Sequence, residues 1–127
     1  MVLTDERDLG RAIKQKEEKL EIRGTLKDRV CRIRSVEERQ WKACVSQIGM
    51  AVAFLQAMTK ADGIPTSVSV LTGTPLLEKI AQILGISNAF SAIMIAMAGG
   101  GIGILNQLRR YQMECLTEEE IVLRRKE

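Results

Sequence analysis

An all-α fold is predicted by three features of this 127-residue chain. Ile80 to Leu108 carries no charged side chain and is closed by Lys79 in front and Arg109–Arg110 behind. Ala43 to Thr59 forms a second uncharged stretch between Lys42 and Lys60. Aromatic residues are confined to Trp41, Phe54, Phe90 and Tyr111. A core must therefore be built from Ala, Ile, Leu, Val and Met, which suits helix–helix contacts better than a sheet sandwich. The expected architecture is a helical hairpin with short flanking helices. In it, a long N-terminal amphipathic-to-apolar helix packs against a second apolar, glycine-rich helix.

Charge divides the chain into three parts. Residues 1–42 hold twelve Lys/Arg and nine Asp/Glu, residues 43–106 two of each, and residues 107–127 five of each. At this length one domain is expected. Its expected parts are a charged amphipathic helical arm (1–42), an apolar hairpin (43–108) with a connecting loop and short amphipathic helix (60–85), and a charged C-terminal helix (109–127).

Taken in order, Thr4 followed by Asp5, Glu6 and Asp8 reads as an N-cap with an acidic first turn. Leu9, Ile13 and Leu20 continue an apolar stripe until Gly24 interrupts it. Thr25 with Asp28 resembles a capping box. Apolar residues then recur at helical spacing through Leu26, Val30, Ile33, Trp41, Cys44, Ile48, Val52 and Leu55, which predicts one long helix from Leu26 to Thr59. Ala61-Asp-Gly-Ile-Pro65 should stop it, and Thr66 to Thr74 reads as a connection with some β-propensity. Thr74-Pro75 starts a short helix whose face is Leu76, Leu77, Ile80, Ile83 and Leu84, and Gly85 ends it. Ser87 or Asn88 then caps the apolar helix running to Leu108. Thr117-Glu-Glu-Glu120 reads as the capping box of a surface helix, with Arg124-Arg-Lys126 at its basic end.

Catalytic chemistry is mostly absent from the residue types. There is no histidine, so Ser/His and Cys/His nucleophile pairs are excluded. Cys31, Cys44 and Cys115 are odd in number and widely spaced, so neither a disulfide framework nor a zinc site is expected. Gly99-Gly-Gly-Ile-Gly103 fails as a dinucleotide fingerprint because Ile104 or Asn106 stands where the third glycine belongs. Gly73-Thr-Pro-Leu-Leu-Glu-Lys79 fails as a phosphate loop. The paired glutamates lie on charged faces. No enzyme activity, cofactor, metal or small-molecule substrate is expected. The basic arm interleaves its cations with acids and has one aromatic, Trp41, so nucleic acid is not its expected partner either.

What remains is self-association. Gly49, Ala53 and Ala57 recur every four residues, as do Ala92, Ala96 and Gly100, and Gly99 with Gly103. On a helix such spacing makes a flat stripe where another backbone approaches closely. These eight are the expected helix-packing and oligomerisation residues. The first reading is a membrane hairpin in which the bilayer is a further partner. Trp41, Lys42, Arg109, Arg110 and Tyr111 then anchor both helices at one interface, with both termini cytoplasmic. It would form an oligomeric pore, a translocator-like insertion, or an envelope or secretion-apparatus assembly. The charged N-terminus predicts no cleavable signal peptide. The alternative is a soluble coat, filament or scaffold subunit, cytoplasmic or within a large assembly. Ser46, Gln47, Gln56, Gln82, Ser87, Asn88 and Ser91 fit that reading better, and neighbouring subunits would cover the apolar surface.

Overall fold

Helices account for most of the computed structural model, which describes residues 2–62 and 68–125. Both ends of the described chain nevertheless form strands, and the expected all-α class is corrected accordingly. The elements are β1 (Val2–Leu3), α1 (Glu6–Lys14), β2 (Lys19–Arg23), α2 (Thr25–Ser35), α3 (Glu38–Asp62), a 3₁₀ turn (Val68–Leu71), α4 (Pro75–Leu84), α5 (Ile86–Gly99), α6 (Gly103–Arg110), β3 (Gln112–Leu116) and β4 (Glu120–Arg124).

The strands form one sheet in the order β1-β2-β4-β3. β1 runs parallel to β2 with α1 as the crossover, while β4 lies antiparallel to both β2 and β3. Strict alternation explains the two central strands. In Lys19-Leu-Glu-Ile-Arg23 and Glu120-Ile-Val-Leu-Arg124 every second residue turns inward, so Leu20, Ile22, Ile121 and Leu123 are buried. The stripe expected from Ile13 to Leu20 therefore breaks. α1 stops at Lys14, capped at its front by Asp5, whose carboxylate accepts from the Arg7 N–H at 2.7 Å.

The expected C-terminal helix over 109–127 is a hairpin instead. Thr117 Oγ1 accepts from the N–H groups of Glu119 and Glu120, the bonds of a helix cap, but here they close the turn between β3 and β4. Burying Ile121 and Leu123 against β2 decides between the two outcomes. The residues expected to end the C-terminal helix include Lys126, which lies outside the described residues, as do Gly63, Ile64, Pro65, Thr66 and Ser67.

The single helix expected from Leu26 to Thr59 is two. Val36 is extended (φ −63°, ψ 132°) and ends α2 without glycine or proline. A remote side chain makes this stop affordable: Arg109 of α6 donates to the carbonyls of Ile33 (2.6 Å) and Val36 (2.9 Å). In return, Arg34 of α2 donates to the carbonyls of Leu108 and Tyr111, both at 2.7 Å, at the end of α6. Each helix supplies the cation that caps the other's C-terminus, where unpaired carbonyls and the helix dipole favour it. Burial lowers the pKa of Arg34 from its ordinary value, and the nearby Arg109 pushes the same way.

α4 begins and ends as expected. Thr74 Oγ1 accepts from the Leu77 N–H, Pro75 opens the helix, and Gly85 closes it. The apolar helix that follows is shorter than expected. It breaks after Gly99, where Gly100 takes a left-handed φ of +94° and carries the chain into α6. α5 is the centre of the molecule and packs against α1, α2, α3, α4 and α6. A close approach is made by Gly10 of α1, where a Cβ would lie 2.5 Å from the Ile95 carbonyl oxygen and 2.8 Å from Ala98 Cβ. One buried polar group sits in this contact: Ser91 donates to Glu6, and Arg29 donates to both.

Candidate functional site

α3 leaves one apolar side uncovered. Its inner side presents Trp41, Cys44, Ile48, Ala51, Val52 and Leu55, all buried. Burial pushes the Cys44 thiol up to about 11, against a smaller opposing pull from Arg109. On the outer side Ala43, Ser46, Met50, Ala53 and Ala57 are exposed at alternating spacings of three and four, the seam repeat of paired helices. Phe54 flanks this seam. Met50 is 60% and Phe54 49% exposed. No charge falls between Lys42 and Lys60. The one hydroxyl in the seam, Ser46, donates to the Ala43 carbonyl at 3.1 Å, which turns its polar group onto its own helix.

The eight residues expected to pack helices are divided by the fold. Ala53 and Ala57 lie exposed on the α3 seam, and Gly49 is half-buried with room for a Cβ 3.5 Å from the side chain of Ile102. Ala92, Ala96 and Gly99 are buried within the protein. Gly100 and Gly103 are exposed, and a Cβ at either would meet nothing within 4 Å.

The five expected interface anchors are also divided. Trp41 is buried, with its indole N–H donating to Asn106 Oδ1 at 2.9 Å and the Arg109 guanidinium 4.6 Å above its ring. Tyr111 is buried and its hydroxyl donates to the Glu17 carbonyl at 2.8 Å. Lys42 and Arg110 are exposed. Thus Trp41, Arg109 and Tyr111 have partners inside the protein, and they hold the end of α6 to α2, α3 and the turn after α1.

Among the described residues no helix is long and apolar enough to cross a membrane. α4 and α5 would suffice together, but they bend by 107° at Gly85. Nor do three His, Cys, Asp or Glu side chains converge among the described residues as a metal ion would need. Periodicity alone did not reveal Met50 and Phe54 as surface residues, because an uncharged helix looks alike on every face. Comparison with protein-family models, with curated proteins and with solved structures finds no match for this chain.

Proposed function

We propose that the protein acts without catalysis, as a subunit that associates with its own copies through the outer side of α3. The seam from Ala43 to Ala57 carries this reading, because it is uncharged, exposed and built of small residues around Met50 on a helix whose other side already fills a core. A second copy fits it better than an unlike partner. Turned antiparallel about Met50, the seam places Ala43 beside Ala57 and Ser46 beside Ala53, so one surface complements itself about a two-fold axis. The apolar helix α5 supports the same choice over a lipid-facing hairpin, since five helices surround it and a hairpin would have to open them. A coat, filament or scaffold subunit is the class that this arrangement serves.

Sedimentation velocity over a range of concentrations tests it. The protein is expected to dimerise or assemble further as concentration rises. Ala53→Glu should leave a monomer with an unchanged unfolding midpoint. A wild-type chain that stays monomeric at every concentration would sink the proposal. Retention in alkali-washed membranes would favour the hairpin instead.

A further inference from the structure

A second feature lies where the turn after α1, the end of α6 and the end of β4 meet. A cavity of about 310 Å³ opens there, lined by Lys16, Gln107, Arg110, Tyr111 and Arg125. Three of its five lining residues are cations and none is an acid. None of the three makes an ion pair or a side-chain hydrogen bond with any described residue, although Arg29, Arg109 and Arg124 all do. Three unpaired like charges around one concavity repel each other, and that repulsion is relieved when an anion enters.

Backbone hydrogen bonds place two of these residues at the cavity. Lys16 follows α1 in a left-handed conformation, φ +61°, the one non-glycine residue described with a positive φ. Its N–H donates to the Ile13 carbonyl (2.9 Å) and that of Glu17 to the Ala12 carbonyl (3.1 Å), the paired bonds of a helix-ending turn that glycine ordinarily occupies. A lysine there is strained, and its charge is what glycine would not supply. Arg125 is held by its N–H on the Glu18 carbonyl at 2.7 Å. Tyr111 is anchored through its hydroxyl to Glu17, and burial raises its pKa, so the phenol remains neutral.

The geometry points to a binding site for a small phosphate-bearing anion, held by Lys16, Arg110 and Arg125. Two guanidinium forks match phosphate oxygens in pairs, and the lysine adds a point charge. The volume lies at the small end of ligand pockets, which suits a diphosphate or a small organic phosphate.

Isothermal titration of the full chain with inorganic pyrophosphate, at fixed ionic strength, is the test. Saturable binding is expected, weakened about tenfold by Arg110→Gln or Arg125→Gln and unchanged by Lys79→Gln in α4. Lys16→Gly separates charge from backbone. It should raise the unfolding midpoint by relieving the left-handed strain, yet weaken pyrophosphate binding by about tenfold. No saturable binding, or equal weakening by Lys79→Gln, overturns the site. So does a Lys16→Gly protein that is stabilised with full affinity. Phosphatidylcholine vesicles carrying a phosphorylated inositol lipid distinguish a headgroup from a soluble ligand. Sedimentation with those vesicles that pyrophosphate fails to displace would also overturn the cavity as the site.

Discussion

Residues 43–59 of α3 and residues 86–99 of α5 are both uncharged helical stretches, and the fold treats them in opposite ways. α5 is covered by helices on several sides and buries Ala89, Ser91, Ala92, Ile93, Ile95, Ala96 and Gly99. α3 is covered on one side and leaves Met50 and Phe54 about half exposed or more. Composition alone does not separate them. What separates them is the number of neighbours, and that depends on small residues such as Gly10 that let a second helix come close. An apolar helix becomes a core helix when its surroundings close over it, and an interface when they do not.

The largest way to break this contrast is to push α1 away from α5. Gly10→Val would drive a side chain into the Ile95 carbonyl and Ala98, neither of which is a flexible side-chain end. A loss of about 4 kcal/mol or outright failure to fold is expected, read by urea unfolding. Next comes the inner side of α3. Leu55 is fully buried, so Leu55→Ala should cost about 2–4 kcal/mol in the same measurement. The smallest effect belongs to its immediate neighbour. Phe54→Ala should change stability by no more than about 0.5 kcal/mol while weakening self-association in sedimentation. Equal stability losses at positions 54 and 55 would erase the distinction between the two sides of α3.

Much of the helical framework is legible in the sequence, and the reasons are local. Thr74-Pro75 and Gly85 bound α4 because a hydroxyl cap, a proline and a terminal glycine act within one turn. The sheet was hidden by competition between local signals. Lys19 to Arg23 alternates as a strand should, yet Leu20 also extends a helical spacing from Ile13. Thr117 offers its hydroxyl to the same following N–H groups in a turn as in a cap, so only pairing with β2 settles the outcome. The break at Val36 could not be read locally at all, because its cap comes from Arg109, more than seventy residues away. The seam on α3 was legible as spacing and not as exposure. The cationic cavity was not legible, since Lys16, Arg110 and Arg125 come from three segments that meet only in the folded chain.

The pairing of Lys19 with Arg124 has a bearing on how the chain is made. A ribosome releases β2 early and β4 late, with α2 to α6 emerging between them. Until β4 emerges, Leu20 and Ile22 have no Ile121 or Leu123 beside them, and until α6 emerges the reciprocal caps of Arg34 and Arg109 are unmade. Low-contact-order helices form first, and the pairing of distant strands follows. The β3–β4 hairpin, made after every helix, therefore supplies the strand that covers β2 as well as an edge of the sheet.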